Sequence, residues 1–454
     1  MLAETLKLAF YMEEKMRRLS LLVLIVLLAV APIGLQVTAA RADKVSLTLW
    51  HMEQPPHRVE RFQQLIDEFN DAHPDIEVKI EVQDWNFAYQ RLSAAAAAGR
   101  QPDLMFVIPD FAQTVLKLNL AQPVTALVNE LDAQHDFVDA ALAPYFFDGE
   151  YWAVPLYGME QLLWYRKDIF AEAGIASAPQ TWEELVQVAE QLTAGDRYGI
   201  AVPAGRNLAS DQVIYSFMMT SGAKDMFDEN CNVTFNTPET VRTLELYQKL
   251  LSFSPPDATS YSWGEPQALL NSGQVAMAIE KGQYLLPFEE ESGVSGDNLG
   301  MAHIPMPAEN GVEGTIYYSN AVMVYSADEA KQQAAHELIR FLLEPEIYGR
   351  FLTAEPGLFL PVTKSGLESE TFWSDPIIEQ YRPYVEEMIN YSEFGGLFGF
   401  TSGRVCAEIT AISQQNLLAQ TVQRVAVGGS TPEEAAAWAQ AEMEKAVQQF
   451  REGQ

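Results

Sequence analysis

Apolar residues first fall at alternate positions: Val45, Leu47 and Leu49 are separated by polar neighbours, the period of a strand with one buried face. Phe62, Leu65, Ile66 and Phe69 then recur at helical spacing, and Ile76, Val78, Ile80 and Val82 return to alternation. A second helical stretch passes Leu92 and the alanines 94–98, which are strong helix formers, and stops at Gly99. The run 104–108 is continuously apolar, as suits a strand covered on both faces. Strands separated by helices demand crossovers, so this order predicts a parallel α/β sheet.

Downstream the same grammar continues with marked helix starts. The segments 181–184, 326–329 and 431–434 have capping-box spacing, and Pro238 and Pro432 stand where a first-turn proline is tolerated. Apolar runs at 275–279 and 321–325 predict two further strands, with the Pro-, Gly- and Glu-rich segment 287–314 between them as a surface excursion.

At 454 residues the chain exceeds one ordinary core, which predicts two lobes. Residues 1–42 stand apart: Lys15, Arg17 and Arg18 precede the apolar run 19–31, and Ala40-Arg41-Ala42 offers a small-x-small cleavage site. That order is the order of a secretory signal, and a run of 13 residues, apolar but for Ser20, falls short of the ~20 a spanning helix needs. Met16 offers an alternative start. Removing 1–42 leaves 24 basic against 59 acidic side chains, a net charge of −35, which excludes nucleic acid or an anionic membrane as a partner held by the overall field. Export permits a disulfide between the two cysteines, Cys231 and Cys406, but their spacing does not decide it. No cysteine follows the cleavage site to carry a lipid, so a lipoprotein is not expected.

The tract 148–185, DGEYWAVPLYGMEQLLWYRKDIFAEAGIASAPQTWEEL, resembles extracellular solute-binding proteins of the sugar-transporter type, the receptors of ABC importers. Gly149, Ala153 and Pro155 match the entry to a strand, Tyr165, Lys167 and Asp168 its end, and Pro179, Thr181, Trp182, Glu183 and Leu185 the helix start that follows. Further matches come in order: Ala98-Gly99-x-x-Pro102-Asp103, Ser272-Gly273-x-Val275-Ala276-Met277, Leu360-Pro361-Val362 and Gly429-x-Thr431-Pro432-Glu433-Glu434-Ala435. The chain departs from the pattern at Tyr318-Ser319-Asn320, where the family commonly has a Gly-Gly pair. The resemblance implies an α/β, two-lobe periplasmic-binding-protein fold of type II, maltose-binding-protein-like, with chain crossings near 155–160, 317–320 and 358–363. One lobe would hold 43–155 plus 320–358, the other 156–319 plus 359–454. It also implies a monomeric extracytoplasmic receptor, periplasmic where the cell has a periplasm, that delivers an unaltered sugar or polyol to ABC transporter permease subunits.

Ligands of a parallel α/β sheet collect beyond the carboxyl ends of its strands, which selects Glu53 after the first strand, Asp84 and Trp85 after the second, and Asp110 after the third. Carboxylates accept from several sugar hydroxyls, and aromatic faces cover the apolar side of a sugar ring. By resemblance Asp110 aligns with a ligand-binding Asp of the maltose-binding branch, and Tyr284 with an aromatic stacking position there. Helix capping is the other reading of Asp110, and core packing that of Trp85. Glu160, Trp263 and Tyr318 are further candidates, as are Tyr157, Glu280 and Gln283. Arg404 follows a glycine-rich loop, and its guanidinium would suit a phosphorylated polyol such as glycerol 3-phosphate, unless it pairs with a surface carboxylate. No His/Cys/Asp cluster has metal-site spacing and no nucleophile elbow, P-loop or dinucleotide fingerprint occurs, so neither metal nor cofactor is expected. A secreted glycoside hydrolase using two carboxylates is the enzymatic alternative.

Overall fold

The computed structural model describes residues 44–401 and 403–453 together with Met12, Lys15 and Met16. The expected signal segment and cleavage site, apart from those three residues, lie outside the described residues. The first strand, β1 (Val45–His51), pairs in parallel with β2 (Ile76–Val82) and β3 (Leu104–Val107). The helices Pro56–Ala72 and Ala88–Ala97 return the chain between them, as the change of period from two to 3.6 requires. A short hairpin, β4 (Phe146–Phe147) with β5 (Glu150–Tyr151), precedes β6 (Val154–Glu160).

Only Gln161 separates β6 from β7 (Leu162–Arg166), which belongs to a different sheet. There β7 is flanked by β8 (Met277–Glu280) and β9 (Leu299–Ala302), both antiparallel to it. The chain then returns through β10 (Thr315–Val324), which is antiparallel to β3 and β6 and meets β11 (Gly395–Gly396) near its start. Gly158 bridges Leu360, so β6, β10 and the segment around 360 lie side by side where the two sheets communicate. The fold is thus an α/β fold with a six-stranded and a three-stranded sheet, each with its own helices.

Four local expectations shift. The strand read at 275–279 is Met277–Glu280, because Val275 bridges Tyr198 and the Ala276 carbonyl accepts from Arg166 N. The strand read at 321–325 begins six residues earlier, at Thr315; its polar residues are buried between neighbours and so broke the apolar run. The excursion 287–314 contains β9. The helix expected to start from Ser326 is capped by Asp328, whose carboxylate accepts from Lys331 N at 3.0 Å, while the Ser326 hydroxyl accepts from Asp328 N at 3.3 Å. The capping boxes at Thr181 and Thr431 form as expected.

An aromatic cluster consolidates the large sheet beside β6 and the segment around 360. Tyr157 packs on Phe359 with ring centroids 4.1 Å apart, and Phe62 on Phe351 at 5.2 Å. Such buried rings each contribute roughly 1.5–3 kcal/mol through burial alone. The question left by the sequence about Cys231 and Cys406 is answered by a disulfide, with Cα atoms 5.5 Å apart. Among the described residues no helix is long and apolar enough to cross a membrane.

Candidate functional site

A cavity of about 480 Å³ opens beyond the carboxyl ends of β1 and β2, within the size range of small-molecule sites. Met52 and Glu53, after β1, and Trp85 and Asn86, in the turn after β2, form one wall. Tyr318 and Asn320, two residues apart on β10, face it together, as the period of a strand dictates. Lys281 and Gln283, just past β8, and Trp263, before the helix Gly264–Asn271, supply the opposite wall. Between Lys281 and Gln283, Gly282 meets the chain that follows the helix Pro345–Leu352: a Cβ there would lie 1.9 Å from the Gly357 carbonyl oxygen. Only glycine permits that approach, and it carries both polar side chains to the cavity.

The charged side chains of the wall already have partners. Glu53 accepts from Arg58 at 2.6 Å and from the Tyr157 hydroxyl at 2.9 Å, and Arg58 also donates to Glu355 at 2.5 Å. His57 contacts the same Glu355 carboxylate. Lys281 donates to Gln212 at 2.5 Å and to Glu280 at 3.3 Å, and its ammonium lies 5.8 Å from the Trp263 ring centroid. Behind this wall, burial pushes the His51 imidazole down to about 4 against the opposing pull of Glu53, so it is neutral at pH 7. Its Nδ1 accepts from the Glu53 N–H at 3.3 Å and fixes the turn after β1.

The uncommitted polar atoms of the cavity wall are of another kind. Asn86 Oδ1, Gln283 Oε1, Trp263 Nε1 and both side-chain ends of Asn320 are buried without a partner among the described residues. A buried polar atom left unpaired costs about 1–3 kcal/mol, so five in one cavity mark a place built to be filled by something that both donates and accepts.

Of the residues singled out from sequence, Glu53, Trp85, Trp263, Gln283 and Tyr318 line this cavity and the others do not. Asp84 caps the turn after β2, accepting from Asn86 N at 2.8 Å. Asp110 lies in the first turn of the helix Pro109–Lys117, whose start turns it behind Tyr318. It faces a separate space of about 30 Å³, and it accepts from the Tyr89 hydroxyl at 3.1 Å. Burial pushes its carboxyl up, with Ser413 and Tyr89 opposing. Glu160 is buried on β6 with both carboxyl oxygens unpartnered among the described residues, and burial raises its pKa well above the usual range. Tyr284 stacks on Trp164, centroids 5.2 Å apart, inside the small-sheet core. Arg404 pairs with Asp225 at 3.4 Å, on a loop that the Asp225 carboxylate also holds through Gly399 N at 3.0 Å.

Sequence reasoning did not select Arg58, Asn86, Gln212, Lys281 or Asn320, all of which line the cavity. Asn86 and Lys281 adjoin residues that were selected, and Asn320 shares the strand parity of Tyr318, so those three had a signal. Gln212, within the buried helix Leu208–Thr220, had none.

The model of the bacterial extracellular solute-binding protein family matches residues 56–348, well over half of the chain. The chain belongs to that family. A mannitol-binding protein of Pseudomonas aeruginosa is 26% identical over 323 residues, covering 69% of this chain and 72% of its own. A putative ABC transporter periplasmic-binding protein of Escherichia coli is 23% identical over 389 residues, 85% of this chain and 88% of its own. Among solved structures, an Agrobacterium radiobacter solute-binding protein in complex with ribitol superposes with a TM-score of 0.74 at 24% identity, covering 89% of this chain and 99% of its own. A maltose-bound protein of T. maritima gives 0.75 at 19% identity, covering 88% and 99%. The two-lobe architecture is therefore that of a solute-binding protein, and membership in a family of binding proteins sets aside the glycoside-hydrolase alternative.

Proposed function

We propose that this solute-binding protein holds a neutral sugar or linear polyol in the 480 Å³ cavity and presents it to the permease of an ABC importer. The observation that carries the reading is the mismatch between the wall's paired ions and its unpaired neutral groups. A hydroxyl donates and accepts at one atom and so meets both the carbonyl oxygens of Asn86 and Gln283 and the N–H of Trp263. A phosphate, an acceptor, would face those carbonyl oxygens, and the two wall cations are already held by Glu53, Glu355 and Glu280. Arg404, the cation that favoured a phosphorylated polyol, is committed to Asp225 away from the cavity. The names of relatives and neighbours, which mention mannitol, maltose and ribitol, point to the same chemistry.

In this reading Glu53, Trp85, Trp263, Tyr318, Gln283 and Asn320 contact the ligand. The lobes are 43–155 plus 320–358 and 156–319 plus 359–454, and the receptor is an exported monomer, without a lipid anchor, released by cleavage after residue 42.

Thermal-shift screening followed by calorimetry tests the assignment, because a ligand at 100 times its Kd adds about 2.7 kcal/mol of stability. A neutral sugar or polyol should raise Tm and glycerol 3-phosphate should not. Asn320→Ala should weaken the active ligand about 10- to 100-fold through two lost hydrogen bonds. A Tm rise confined to phosphorylated compounds would sink the proposal.

A further inference from the structure

Behind the ligand cavity lies the second space, of about 30 Å³, room for a single water molecule. Two side chains line both spaces: Tyr318 of β10 and Leu208 at the start of the helix Leu208–Thr220. They form the partition between them. The rear space is faced by two carboxyl groups, Asp110 and Asp211, brought together from helices that precede β6 and follow β7. Asp110 Oδ1 is buried there without a partner among the described residues, and Asp211 accepts from Ala419 N at 2.5 Å. The partition is firm: Tyr318 is 6% and Leu208 7% exposed, and the Tyr318 hydroxyl faces Gln212, which is itself held by Lys281.

We infer that Tyr318, backed by Leu208, is the residue that sets ligand length. It ends the chamber short of a stretch of wall whose acidic groups suit hydroxyls equally well. This inference rests on the sugar or polyol reading above. With the ring present, a ligand occupies the front chamber and stops at the aromatic face. With the ring removed, the chamber runs on to Asp110 and Asp211, whose oxygens would accept from the hydroxyls of a longer saccharide. The two spaces share no polar wall residue except Tyr318, so shortening that one side chain changes the depth of the site and leaves Asn86, Gln283 and Trp263 in place.

The experiment compares glucose, maltose, maltotriose and mannitol by calorimetry on the wild-type chain and on Tyr318→Phe, Tyr318→Leu, Tyr318→Ala and Leu208→Ala. The quantity read is the ratio of Kd for a longer to a shorter ligand. Tyr318→Leu, Tyr318→Ala and Leu208→Ala should move that ratio at least about 10-fold toward the longer ligand, whereas Tyr318→Phe, which keeps the ring, should preserve the wild-type ranking even where it weakens both. Circular dichroism checks folding, and Leu208→Ala opens the same partition from the helix side, so failure of one variant to fold leaves the test intact. An unchanged ratio in the folded variants overturns the inference. A wild-type chain that binds no neutral sugar or polyol defeats the functional proposal instead.

Discussion

At the scale of single residues, the rule that ligands gather at strand ends brought Glu53 and Trp85 to the cavity but failed for Asp84 and Asp110. The reason is local: Asp84 spends its carboxylate on its own turn, and the helix starting at Pro109 carries Asp110 behind Tyr318. Arg404 could not be placed from sequence because its partner, Asp225, is 179 positions away. Glu160 is more informative for stability than for binding. Burial raises its folded pKa well above 4.5, so below that pH both states are protonated and nothing is lost. As pH rises, the unfolded chain ionises while the native carboxyl keeps its proton, and stability falls. Glu160→Gln removes this decline. The Tm of the variant relative to wild type should therefore climb as pH rises above about 4.5. A pH-independent difference would show that the carboxyl is solvated in the folded state.

At the scale of elements, the strands of the large sheet that alternate or run apolar were legible, whereas β10 was only half legible. Its first six residues, including Tyr318 and Asn320, are buried yet look like a loop because burial here serves a cavity and a neighbouring strand instead of an oily core. The pairing of β10 with β6 shifts register between Asn320 and Ala321. Such an irregularity changes which residues face a given side, and it falls immediately after the two that line the site. The Cys231–Cys406 link is an element-level device as well: it joins the turn following Asp225 to the loop carrying Arg404, which also grips Asp225. Reduction, or replacement of both cysteines by serine, should cost about 2–4 kcal/mol in denaturant titration. Amide exchange should rise first in the segments flanking Cys231 and Cys406. An unchanged midpoint would mean that the surrounding hydrogen bonds alone fix that corner.

At the scale of the whole molecule, a net charge of −33 makes self-repulsion a general destabilising term, while the two cations of the cavity wall, Arg58 and Lys281, are held by carboxylates. Raising salt from about 10 mM to about 150 mM shortens the screening length from about 30 Å to about 8 Å. Tm should rise, and Kd for a neutral ligand should stay within about two-fold. An affinity that fell steeply with salt would reveal a charged ligand. The α/β character and the helix starts at Thr181 and Thr431 were readable because helix caps and strand periods are local signals, and the two-lobe plan because of the family resemblance. The chamber was not, because its walls come from segments more than 200 positions apart. Where Gly282 touches Gly357, two peptide planes meet with nothing between them, and a peptide plane has no rotamer with which to yield. The spacing of the two walls at that point is set by main chain, as a gauge block sets the jaws of a vice. Descendants of this chain can acquire a new ligand only by recutting the wall side chains, since the gap itself is not theirs to adjust.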